Sequence, residues 1–99
     1  QTMPYIDPIR RELINHSIQT LINNFNETPV LVEKRAGVLN YVITKLLIAI
    51  YDKPGYQDYN EALGVLSAVA HEFYRRRIAP YEDKKREEMG DVFPEGQIP

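Results

Sequence analysis

Apolar residues recur at helical spacing along most of the chain, and three stretches carry the pattern. Between residues 8 and 25, Ile9, Leu13, Ile14, Ile18, Leu21, Ile22 and Phe25 form one stripe, with Arg10, Arg11, Asn15 and Gln19 outside it. Asp7-Pro8 reads as an N-cap followed by proline at the first helical position. Asn23, Asn24 and Asn26 tolerate the left-handed conformation and mark the stop. From about residue 36 to 51, Leu39, Val42, Ile43, Leu46, Leu47 and Ile50 keep the i, i+3, i+4, i+7 rule. The third stretch, residues 58–79, is the longest, and the rest of the chain is expected to pack around it. Leu63, Leu66, Val69, Ala70 and Phe73 define its face, and Ala62, Val65 and Ala68 widen that face almost to a full circle. A helix apolar on nearly every side is expected to be buried on nearly every side. Asp58, three residues before Glu61, predicts a capping box. Pro80 is expected to close the helix, because its ring disfavours helical geometry in the residue before it. A glycine inside a helix costs about 1 kcal/mol, so Gly64 predicts a close approach of another helix.

The connections follow. Tyr5 and Ile6 are expected to pin the N-terminus to the core. Residues 27–35 form a connector in which Val30, Leu31 and Val32 make an extended segment or a turn of helix. Pro54-Gly55 punctuates the next turn. After Pro80 a short polar helix is predicted, with Glu82 and Asp83 in its first turn, a Glu82–Arg86 pair and Gly90 as its left-handed stop. Its apolar face is so small that it needs a neighbour, another subunit included. Residues 94–99 are a Pro/Gly-rich tail, and Gln1 and Thr2 read as additions ahead of a natural start at Met3. These elements predict one all-α domain over residues 3–93. It is a bundle-like arrangement of three helices with a long central one and a short polar C-terminal one. The central helix is apolar on more sides than two partner helices can cover, so a homo-oligomer is expected.

Composition narrows the function classes. A chain of 99 residues is one domain with a small core. A net charge of −2 gives no general basic field, so a nucleic-acid duplex is not an expected partner. The absence of cysteine excludes disulfides, thiolate catalysis and Cys-based zinc sites. No apolar run approaches the roughly 20 residues that span a bilayer, and the N-terminus lacks a signal-peptide layout. A cytoplasmic protein without a membrane partner is the expectation. His16 and His71 are the only histidines, and no HExxH, nucleophile elbow or Gly-rich phosphate loop is present. No enzyme, cofactor or metal is therefore expected.

The candidate chemistry sits in the second half of the third stretch, where His71, Glu72, Tyr74, Arg75, Arg76 and Arg77 follow within two turns. Successive arginines on a helix point about 100° apart, so the three cannot line one surface. His71 and Arg75 share a face, as do Glu72 and Arg76. One reading is an intrahelical ion pair with solvated arginines near a helix end. The other is an anion site, in which Arg75 or Arg76 with His71 clamps a phosphate while a tyrosine stacks on a base. The chain has seven tyrosines, Tyr41, Tyr59, Tyr74 and Tyr81 among them. Asn40 and Asn60 are either caps and water-facing groups or ligand contacts. The candidate ligand-binding set is Asn40, Tyr41, Asn60, His71, Tyr74, Arg75, Arg76, Tyr81 and Lys85.

Several blocks taken together carry a resemblance: Met3-Pro-Tyr-Ile6, Leu39-Asn-Tyr-Val-Ile-Thr-Lys-Leu46, Tyr59-Asn60, Glu72-Phe-Tyr-Arg-Arg76, Ala79-Pro-Tyr-Glu-Asp-Lys-Lys85 and Gly90-Asp-Val92. The chain resembles a family of small proteins from tailed-phage and prophage genomes, with Met89 departing from the small polar residue expected before Gly90. The resemblance implies a phage-type origin and a role in binding. The leading expectation is an anti-defence sponge that sequesters a small anionic nucleotide signal at a subunit interface. The alternatives are an inhibitor of a host protein and a virion or assembly component without a ligand.

Overall fold

The computed structural model describes residues 3–53 and 55–94, so Gln1, Thr2, Pro54 and most of the expected tail lie outside the described residues. Every regular element among the described residues is helical, as the periodicity requires. Helix α1 (Pro8–Glu27) starts where Asp7 caps it, the Asp7 carboxylate accepting the Arg10 backbone N–H at 3.0 Å. The side chain of Arg11 reaches back to the Ile6 carbonyl at 2.7 Å and fixes the direction of the chain into α1. The connector resolves into a single turn of helix, α2 (Pro29–Glu33), which begins on a proline whose missing N–H costs nothing there. Helix α3 (Arg35–Ile50) follows, then α4 (Tyr56–Phe73). Asp58 does belong to a cap, but as its third residue and not its first. Gly55 is the N-cap, and its N–H donates to the Asp58 carboxylate at 2.9 Å.

Pro80 does not end the long helix. Residues Tyr74–Ile78 form a π turn, and the helical path continues as α5 (Ala79–Met89). In an α register the proline ring would meet the carbonyl four residues back, and its nitrogen could not donate there. The π turn shifts the pairing so that Ala79 N–H reaches the Tyr74 carbonyl, five residues back. The wider turn accommodates the ring without breaking the rod. The polar α5 therefore needs no neighbour to nucleate, because α4 already supplies the costly first turn. From Tyr56 to Met89 the rod is about 50 Å long at 1.5 Å per residue, matching the 51 Å longest extent of the molecule. Gly90 ends it at φ 90°, a backbone angle that residues with a Cβ rarely adopt.

The helices of one chain do not close into a bundle. Elements in substantial contact are neighbours in the sequence: α1 with α2, α2 with α3, and the π turn with α4 and α5. Among the described residues only Ala62 is buried. The predicted stripes are present, but they face outward. Ile9, Leu13, Ile14, Ile18, Leu21 and Ile22 of α1 are all exposed, Leu13 at 82%. Leu39, Leu46, Leu63, Val69 and Phe73 are exposed as well. The near-complete burial expected for α4 is not reached within one chain, and among the described residues a Cβ added at Gly64 would meet nothing within 4 Å outside its own helix. The accessible surface is 9,076 Å², against about 5,800 Å² for a compact folded chain of this mass. The radius of gyration is 18.0 Å, against about 13 Å for a compact domain of this length.

Candidate functional site

Among the described residues, three side-chain hydrogen bonds link distant parts of the chain. Tyr51, just past α3, donates its hydroxyl to Glu61 on α4 at 3.0 Å. That acceptor is anionic, so the Tyr51 phenol is held above its ordinary pKa, the hydrogen bond to Glu61 being the main cause. Tyr5, ahead of α1, donates its hydroxyl to Glu72 near the end of α4. Arg75 donates to the same Glu72 oxygen at 2.7 Å, and Arg76 reaches the Tyr5 hydroxyl at 3.5 Å. Glu72 is consequently held below the usual glutamate range, first by the Tyr5 hydrogen bond and then by Arg75 and Arg76, with partial desolvation opposing. Tyr5 thus does pin the N-terminus, but to a charged cluster on the rod and not to an apolar core. The ion pair expected in the register Glu72–Arg76 forms instead between Glu72 and Arg75.

Around the π turn and α5 lies an open groove of about 710 Å³, lined by Tyr74, Tyr81, Glu82, Asp83, Lys85, Arg86, Met89, Gly90, Asp91, Val92 and Phe93. Its far wall exists because Gly90 turns the chain back and Phe93 N–H closes onto the Asp91 carboxylate at 2.9 Å. Tyr74 donates its hydroxyl to Glu82 at 2.7 Å and is held above its ordinary pKa by that bond. Lys85 stands 5.6 Å from the Tyr81 ring centre, a cation–π placement, and also pairs with Glu88 at 3.5 Å. Arg86 pairs with Asp83 at 3.8 Å and not with Glu82, whose carboxylate is already engaged by Tyr74. A second groove, about 480 Å³ and mostly apolar, lies inside the turn made by α1, α2 and α3, with Tyr41 on its wall beside Phe25, Leu31 and Val42.

The structure distributes the nine candidate residues over several places. Tyr74, Tyr81 and Lys85 share the groove on α5. Arg75 and Arg76 belong to the Tyr5–Glu72 cluster, where Arg75 is neutralised by Glu72. Arg76 and Arg77 form no ion pair among the described residues. Asn40 accepts the Thr44 hydroxyl at 3.1 Å within α3, and Tyr41 lines the other groove. Asn60 and His71 are exposed. Sequence reasoning passed over Glu82, Met89 and Phe93 as lining residues. Phe93 and its neighbour Val92 are apolar just past the polar α5, which is the signal that could have marked Phe93. Glu82 gave none, because eight residues separate it from Tyr74 and an α-helix does not bring such positions together. No helix among the described residues is long and apolar enough to cross a membrane. No curated protein and no solved structure matches the chain. A family model described as Domain of unknown function (DUF6899) matches it over residues 3–92.

Proposed function

We propose a binding function for this chain, which belongs to the DUF6899 family: it holds a small planar anion, of the nucleotide class, at the π turn and the groove beside it. One observation carries the reading. Tyr74 of the π turn lines a groove together with Tyr81 and Lys85, and three consecutive arginines follow Tyr74 within the same turn. Single π turns inside α-helices are enriched at functional sites, where the register shift is retained despite its poorer hydrogen bonding. Tyrosine faces stack on bases whatever their identity, and guanidinium groups bind phosphate in pairs of hydrogen bonds. Arg76 and Arg77 are the arginines with charge to offer, since Glu72 occupies Arg75. Glu82, Asp83 and Asp91 on the groove wall disfavour phosphate there. The base therefore belongs in the groove, and the phosphate on the arginine side of the π turn. The resemblance to tailed-phage and prophage proteins supplies a setting, the sequestration of a nucleotide signal, and with it a cytoplasmic location.

Titration calorimetry against a panel of cyclic nucleotides and ADP-ribose derivatives tests this reading. Binding to at least one member, weakened tenfold or more in Arg76→Ala and Tyr81→Ala, is the expected result. No heat with any of the panel removes it. A second reading, a protein that docks on another protein, is favoured by the outward-facing stripes of α1 and α3. Under that reading the panel is silent and a stoichiometric protein partner is recovered from cell lysate.

A further inference from the structure

We propose that a second copy of this chain covers the open apolar faces of α1, α3 and α4, so that the folded unit is an assembly of copies and not one chain. The surface area is the first ground. One chain exposes 9,076 Å², about 3,300 Å² more than a compact monomer of its mass. Elongation contributes part of that excess, so it is an upper bound. Even half of it, summed over two copies, is about 3,300 Å², well inside the range of about 2,000 to above 5,000 Å² that obligate interfaces bury. The second ground is distribution. The exposed apolar residues are not one patch but stripes along three helices, with Ile9 and Leu13 on one face of α1 and Ile14, Ile18 and Ile22 on another, Leu39, Leu46 and Ile50 on α3, and Val69 and Phe73 on α4. A peptide segment cannot cover stripes on three separate helices, whereas an object of the chain's own size can. A twofold pairing would present each stripe to a surface of the same composition.

The third ground is charge. With 12 cationic and 14 anionic residues the net charge is only −2, so two copies meet without strong repulsion. The ion pairs Lys85–Glu88 and Arg86–Asp83 keep α5 a solvated arm outside the covered faces. The fourth is Gly64. It sits mid-helix on α4, where glycine lowers helix stability, yet among the described residues nothing outside its own helix comes within 4 Å of where its Cβ would be. A helix of the second copy crossing there gives that glycine a reason.

The test is mass and melting of the full chain, measured by light scattering and circular dichroism. The wild type is expected to have the mass of two or more chains. Leu13→Glu is the first variant. In a lone chain its site is 82% exposed and the change would be nearly silent, so loss of assembled mass together with a lower melting temperature supports the proposal. Gly64→Leu is the second, and its two expectations have opposite signs. A lone chain has room for the side chain and a better helix former would raise its melting temperature; a covered face would lose mass and melt lower. A wild type that runs as one chain with a cooperative, concentration-independent melt overturns the proposal. So does a Leu13→Glu variant with wild-type mass and melt, a Gly64→Leu variant that melts higher at full mass, or a wild type unfolded alone at every concentration and ordered only by a different protein.

Discussion

Replacing Pro80 by alanine tests the account of the π turn. Proline inside a helix is about 3 kcal/mol less favourable than alanine, while the proline lost from the unfolded chain returns roughly 0.4–1 kcal/mol. The π turn has already relieved part of the ring clash, so the net gain in Pro80→Ala is about 1–2 kcal/mol. At roughly 4–8 °C per kcal/mol for a chain of this size, the melting temperature rises by about 5–15 °C. The geometry changes at the same time. Tyr74 and Glu82 are eight residues apart and are hydrogen-bonded at 2.7 Å. In an unbroken α-helix eight residues turn through about 800°, leaving the two side chains some 80° apart. The π turn absorbs one extra residue, so the eight behave as about seven and fall on one face. Relaxation to an α register swings Glu82 away from Tyr74 by about 100°. The Tyr74 phenol, held high chiefly by its bond to Glu82, then returns down toward its ordinary value. Ultraviolet titration of the tyrosines, with Tyr74→Phe identifying the step and Glu82→Gln as the reference, reads this directly. A Pro80→Ala protein that melts at or below the wild type, with Tyr74 still titrating high, refutes the reasoning.

Asp7→Ala removes the cap of α1 and is expected to cost about 1 kcal/mol, read as a melting temperature lower by roughly 4–8 °C; an unchanged melt would show that α1 starts without it. Glu72 has a depressed pKa in the folded chain, so its contribution is complete above the unfolded glutamate value of about 4.3 and is lost as pH falls through the lower folded value. Tyr5→Phe removes the largest cause of that depression, so the melting gap between wild type and variant is expected at pH 6 and should narrow below pH 4 or so. An assembly of two chains melts lower on dilution: with an unfolding enthalpy near 140 kcal/mol for two such chains, each tenfold dilution lowers the melting temperature by about 4 °C. Scanning calorimetry over a hundredfold concentration range measures it.

The helices were legible because their signals are local. Asp7-Pro8 sets the start of α1 by itself, and Gly90 sets the end of α5 through its own positive φ. The path through Pro80 was not legible. The rule that proline ends a helix assumes an α register, and nothing in Tyr74-Arg-Arg-Arg-Ile78 announces a π turn. The Tyr74–Glu82 contact was hidden for the same reason. The tertiary arrangement was hidden for a different one. A stripe such as Ile14–Ile18–Ile22 says that a face is to be covered, but not by which chain. Those residues stay exposed, so the all-α architecture read from periodicity is present, while among the described residues the helices pack mainly on their sequence neighbours. The candidate residues were gathered by type, and only Tyr74, Tyr81 and Lys85 come together in one groove.

The two halves of the rod separate the two proposals, because different side chains carry them. Upstream of the π turn, Leu63, Gly64 and Val69 have no chemistry to offer a ligand and act only through packing. Downstream, α5 is held by its own ion pairs and by continuity with α4, and its groove is lined from Tyr74 of the π turn, α5 and the residues just after it. Tyr81→Ala is therefore expected to abolish ligand heat while leaving assembled mass unchanged, since a half-solvated tyrosine on a polar arm supports no interface. Leu13→Glu is expected to lose both, because α4 carries the π turn and a melted α4 takes the register of Tyr74 and Glu82 with it. If Tyr81→Ala dissociated the assembly instead, the groove itself would be part of the interface between copies. Its occupant would then be a segment of the second chain and not a nucleotide.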